Sequence, residues 1–87
     1  MTRQEVYTVI DSERDYQDIR WTGHQHEVAG YITMLQHYQA KLVAGWTENA
    51  GDGAALDIMR KIAGIAVHCM EVHGAPMRNL DNVQPAV

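Results

Sequence analysis

Phenylalanine is missing from these 87 residues, and cysteine and serine occur once each, as Cys69 and Ser12. A single cysteine excludes an intramolecular disulfide, so a small chain with a limited core has to gain stability in another way, association first among them. Cys69 sits in the most apolar segment, where a free thiol behaves as a small hydrophobe, which fits a reducing cytosol. Ser12 lacks a nucleophile-elbow context, which argues against acyl-transfer chemistry on serine. Basic residues are few: Lys and Arg number 7 against 11 Asp and Glu, for a net charge of −4. That balance excludes the basic stripe that polymeric nucleic acid requires, although two or three arginines can still hold a small nucleotide. No run approaches the roughly 20 apolar residues that span a bilayer, and Met1–Glu5 leads into no signal-type apolar stretch. Neither a membrane partner nor export is therefore expected. A glycine-rich phosphate loop is also lacking, because Gly51-Asp52-Gly53 places an acid before a helix rather than following a strand.

What is present is helical periodicity. Val6, Val9, Ile10, Tyr16 and Ile19 recur at helical spacing in the first segment, with Asp11-Ser12 as a possible interruption or restart. Glu13 and Gln17 lie on the side of Val6 and Ile10, at the edge of the apolar stripe or facing a polar cavity. After a Thr22-Gly23 turn, Val28, Tyr31, Ile32, Leu35, Leu42 and Trp46 mark the apolar face of a second helix. Thr47 to Gly53 reads as a loop, with Asp52 as N-cap of the last helix. That helix carries Met59, Ile62, Ala63, Ala66, Met70 and His73 on one face, and Ile58, Ile65, Cys69 and Val72 widen it. Its polar seam, Asp57, Lys61, Gly64, His68 and Glu71, is narrow and is expected to meet solvent, with His68 and Glu71 as a surface pair. A surface helix needs only about 100° of apolar stripe, so this one is expected to be central and to reach a second subunit. His73-Gly74 supplies a C-terminal glycine stop, Pro76 blocks continuation, and the remainder reads as an arm or an unstructured tail. The expectation is an all-α fold: a single domain, 1–76, of three helices over about 3–21, 24–45 and 54–73, with an arm over 77–87, completed by oligomerisation.

Few residues carry chemistry. His24 and His26 are two apart and point different ways on a helix, and no HExxH is present, so exposed histidines at a helix start are the simpler reading. Cys69 and His73 are four apart, yet nothing supplies the other half of a tetrahedral zinc site. Among the acids, Glu13 and Glu27 have an inward bias, enough to hold one weak Mg²⁺ but not a two-metal centre. Arg20 beside Trp21 places a planar cation next to a stacking ring, and Arg60 flanks the apolar face of the last helix. The other cations read as solvated.

The stretch Glu13-Arg14-Asp15-Tyr16-Gln17-Asp18-Ile19-Arg20-Trp21 resembles the ERxxQDxxW opening of many phage and bacterial MazG-like proteins, all-α nucleoside triphosphate pyrophosphohydrolases. The Ala55–Val67 run is similar to the last helix of that group, and Arg60 through Arg78 looks like small proteins of tailed phages and prophages. The resemblance covers under half of the chain. It implies an all-α fold in a bacterial host's cytoplasm and a nucleotide cleft. It also implies an ExxE pair and further acids for Mg²⁺, and here the sequence departs. Glu27 can stand for the first acid, but Gly30 follows three later, and Met59, Arg60 or Ala63 occupy the places on the last helix.

The resulting expectation is an oligomeric phage-type protein that binds a nucleotide, or a nucleotide-derived signal of host defence, without turnover. Its expected ligand-binding residues are Glu13, Tyr16, Gln17, Arg20, Trp21, Glu27, Tyr31 and Arg60, with no cofactor beyond weak Mg²⁺ on Glu13 and Glu27. The alternatives are a Mg²⁺-dependent pyrophosphohydrolase and a helical adaptor or inhibitor of a host protein.

Overall fold

Helix-forming patterns at three places give three helices in the computed structural model, which describes residues 1–81 and 83–86, Asn49 and Ala50 by backbone only. They are α1 (Arg3–Arg20), α2 (Val28–Gly45) and α3 (Gly51–His73), and the described residues contain no strand. No helix is long and apolar enough to cross a membrane among the described residues.

α1 starts on a capping box. The Glu5 amide donates to Thr2 Oγ1 at 3.1 Å, and the Thr2 amide donates to Glu5 Oε1 at 3.0 Å, which satisfies two of the helix's orphan donors. Asp11-Ser12 does not interrupt it, because the Ser12 hydroxyl donates to the Val9 carbonyl at 2.6 Å within the same turn. The helix ends at Arg20, where Thr22 and Gly23 take φ of 51° and 68°. Left-handed backbone at two successive residues cannot continue a right-handed helix.

α2 begins at Val28 and not at His24. The His26 carbonyl bonds to His73 Nε2 at 2.8 Å, which holds His24–Glu27 extended against the end of α3, and Glu27 becomes the N-cap. The segment expected as a loop is also different. α2 runs on through a π-helical turn, Trp46–Ala50, where the Thr47 hydroxyl bonds the Val43 carbonyl at 3.0 Å. The chain breaks at Gly51, whose φ of 75° favours glycine. Asp52 therefore sits in the first turn of α3 and does not precede it. The other end matches expectation: Gly74, at φ 91°, closes α3 with its amide on the Met70 carbonyl at 2.8 Å. Beyond it the described residues are non-helical, and Met77 and Leu80 are exposed.

α3 is central, packed on both α1 and α2. Its orientation differs from the expected one at mid-helix, although Asp57 and Glu71 stay exposed and Ile65 is buried. Gly64 and His68, from the seam assigned to solvent, are buried, while Met59 and Met70 are about half exposed. The reason is that α1 offers α3 a polar face: Glu13, Arg14 and Gln17 are its buried residues, and Ile19 points to water. Two matched polar strips meet, and apolar burial is concentrated at Tyr31 and Ile65 where α2 joins them. Gly64 sets the separation. A Cβ there would lie 2.6 Å from Gln17 Nε2 and 2.9 Å from Glu13 Cγ.

Replacing a mid-helix glycine by alanine ordinarily stabilises by about 1 kcal/mol. At Gly64 the sign should invert, because overpacking costs about 1–3 kcal/mol and the neighbours are tied down. Gly64→Ala is expected to lower the melting temperature by several degrees, about 4–8 °C per kcal/mol for a domain of this size. A thermal melt in which the variant is more stable would show that the α1–α3 contact is loose.

Candidate functional site

The polar layer is built on a four-residue spacing. Glu13 and Gln17 stand one turn apart on α1 and face α3, with Arg14 beside them. Gln17 is 1% exposed and uses both ends of its amide. Its Nε2 donates to Glu13 Oε2 at 3.1 Å and to the Lys61 carbonyl at 3.2 Å, while its Oε1 accepts from Arg14 Nη1 at 3.2 Å. Arg14 grips Glu71 with two parallel bonds, Nε to Oε1 at 2.8 Å and Nη2 to Oε2 at 3.0 Å, and reaches Asp18 at 2.8 Å. Such forked pairs are the strongest of charged hydrogen bonds. Arg60 closes the other end, bonding Glu13 Oε1 at 2.8 Å and Asp57 at 2.6 Å, with the Lys61 ammonium 3.5 Å from Asp57. Among the described residues no buried side-chain nitrogen or oxygen lacks a partner.

These bonds shift titrations. The hydrogen bonds from Arg14 hold the Glu71 carboxyl below its usual range, and those from Arg60 do the same for Asp57. Both arginines are pushed further toward the cationic form by their carboxylates. His68 moves the other way: burial, and then the nearby Arg14 charge, disfavour its proton.

Two adjoining depressions open between α1 and α3 above this layer. The smaller, about 100 Å³, is lined by Glu13, Tyr16, Gln17, Arg20, Trp21, Tyr38 and Lys61. The larger, about 460 Å³, shares Glu13, Tyr16 and Lys61 and adds Val9, Ser12, Asp57 and Arg60. Six of the eight expected ligand-binding residues thus border one cleft. Glu27 and Tyr31 do not line either depression. Glu27 is an exposed N-cap. Tyr31 is buried elsewhere, its ring edge-on to His26, His68 and His73 at centroid distances of 5.4, 5.2 and 5.9 Å.

Sequence reasoning missed Lys61 and Tyr38, which border the cleft, and Arg14, which supports it from below. Arg14 and Lys61 read as solvated charges in the sequence. The available signal was the alignment of the α3 seam with the Glu13/Gln17 strip, two polar stripes of the same helical period. Tyr38 also has the Lys41 ammonium 5.3 Å from its ring centre, within cation–π range.

The residues do not fit the Mg²⁺ considered on Glu13 and Glu27. Both Glu13 oxygens already accept hydrogen bonds, from Arg60 and Gln17, and Glu27 lies outside the cleft. No three His, Cys, Asp or Glu side chains cluster as a metal site among the described residues. No family model, curated protein or solved structure matches the chain.

His68 supplies a test of the layer. Burial lowers its proton affinity in the fold below the ordinary value near 6.5, so stability should fall as pH drops through 6.5 toward the lower folded value. Glu71 adds a second loss below its ordinary 4.5, because its carboxylate is favoured only in the fold. Chemical denaturation at a series of pH values should show both phases, and His68→Gln should remove the first. A stability that rises between pH 7 and 6 would mean that His68 is protonated in the fold.

Proposed function

We propose that the α1–α3 cleft binds a small anionic ligand bearing an aromatic ring, a nucleotide being the class that fits, and holds it without turnover. The observation that carries this reading is the convergence of the Tyr16, Trp21 and Tyr38 rings with Arg20 and Lys61 around one depression. A phosphate needs cations at hydrogen-bonding reach, and a base needs a ring face. Among the described residues Arg20 makes no ion pair, and Lys61 is held only by the long contact to Asp57, so both can turn to a phosphate. The ring-lined depression holds about 100 Å³ by itself; the adjoining one, which shares Glu13, Tyr16 and Lys61 with it, adds about 460 Å³, within the roughly 300–1,000 Å³ usual for small-molecule sites.

Arg60 supports binding without hydrolysis. A carboxylate that would hold a metal ion or activate water must be free, and Arg60 ties up Glu13. The likeness to MazG-like proteins of phage and bacterial origin supports the nucleotide class. Sequestering a nucleotide signal of host defence is the role that a non-hydrolysing cleft would serve in a phage-type protein.

Calorimetry with a panel of cyclic and linear nucleotides tests this. At least one is expected to bind with an affinity that weakens with salt. Arg20→Ala and Lys61→Ala should each weaken it about tenfold, equivalent to about 1.4 kcal/mol, without loss of helicity. No heat from any nucleotide at high protein concentration would overturn the reading. Mg²⁺-dependent release of pyrophosphate from a nucleoside triphosphate would replace it with the enzymatic one.

A further inference from the structure

The apolar surface that α3 does not spend on α1 gathers on one side. Leu56 and Met59 are 62% and 50% exposed and form a ridge on the first half of α3. A groove of about 590 Å³ runs on one flank, walled by Val6 and Ile10 of α1. Another of about 460 Å³ runs on the other, walled by Val43 and Trp46 at the end of α2. Both grooves include Leu56 and Met59, so a single apolar face spans all three helices.

We infer that this face pairs with the same face of a second copy of the chain across a two-fold axis. A ridge flanked by grooves is self-complementary: each ridge can enter a groove of the other copy, the isologous arrangement that closes a dimer. The surface area supports a partner of this size. The chain exposes 7000 Å², whereas a compact monomer of 9.8 kDa exposes about 5,200 Å². The radius of gyration, 15.0 Å, likewise exceeds the about 12 Å of a compact chain of this length. Part of that excess belongs to the exposed arm, but the face itself is open: Met1, Val43, Trp46, Leu56 and Met59 are 50–87% exposed, large side chains of the kind that make up the about 800 Å² a standard interface removes from each partner. The ridge is also flanked by Asp52 and Asp57, which disfavour an anionic lipid surface as the occupant. The pairing does not depend on nucleotide binding, and the mass of the ligand-free chain tests it separately.

Sedimentation equilibrium of the full chain at about 100 µM, a hundredfold above a 1 µM dissociation constant, should give about twice 9.8 kDa. Met59→Glu and Leu56→Lys place a charge on the ridge, outside the core, and each should return the mass to that of one chain with the far-ultraviolet circular dichroism unchanged. A chain that is already monomeric at this concentration overturns the inference. So does a mass that neither ridge variant lowers. If the mass falls only in a Met77→Glu/Leu80→Glu variant, the neighbour's arm is the occupant and the two-fold pairing is wrong.

Discussion

The Gln17 amide holds this fold in register. It sits against Gly64, between the Glu13 carboxylate, the Arg14 guanidinium and the Lys61 carbonyl, and it is as buried as any side chain among the described residues. Each of these bonds has a direction, so α1 can meet α3 at only one height and one rotation. An apolar interface between the same helices would tolerate sliding by a turn, because apolar contact is non-directional. The layer therefore specifies a position more than it adds stability. Burying Arg14 and Glu13 carries a desolvation cost that their partners have to offset, and among the described residues no buried side-chain nitrogen or oxygen is without a partner.

A small chain with so few fully buried apolar residues has little core to spend. Placing the polar seam of α3 inward sends much of its apolar surface outward, toward the ridge of Leu56 and Met59. The α1–α3 register and the exposed apolar face are thus one structural choice. Had α3 turned its methionines toward α1, Glu13 and Arg14 would have faced apolar neighbours without partners, at a cost of several kcal/mol each.

This is also where sequence reading stopped. Helix identity was legible because apolar spacing, the Gly74 stop and the Thr22-Gly23 turn are local signals, each acting within a few residues. Grouping Glu13 with Gln17 and Arg20 with Trp21 was legible for the same reason. Which face of α3 turns inward was not, since a helical wheel ranks faces by polarity and assumes that the partner is apolar. Only a pairwise comparison of α1 with α3 exposes the matched seams. The start of α2 depends on a histidine 47 residues away, and the placing of Glu27 and Tyr31 outside the cleft follows from that contact.

Arg60 joins the two halves of the argument. In the sequence it is one of three residues, with Met59 and Ala63, considered for the places of the acids expected from the resemblance, and in the fold it bonds both Glu13 and Asp57. A carboxylate in that place would stand next to Glu13, and the two like charges would need a metal ion or a shared proton to coexist. The arginine removes that need by neutralising the buried acid from within the chain. Arg60 thus occupies Glu13 and closes the polar layer in one set of contacts. Arg20 and Lys61 remain at the rim of the depression, the two cations on which the proposed binding rests.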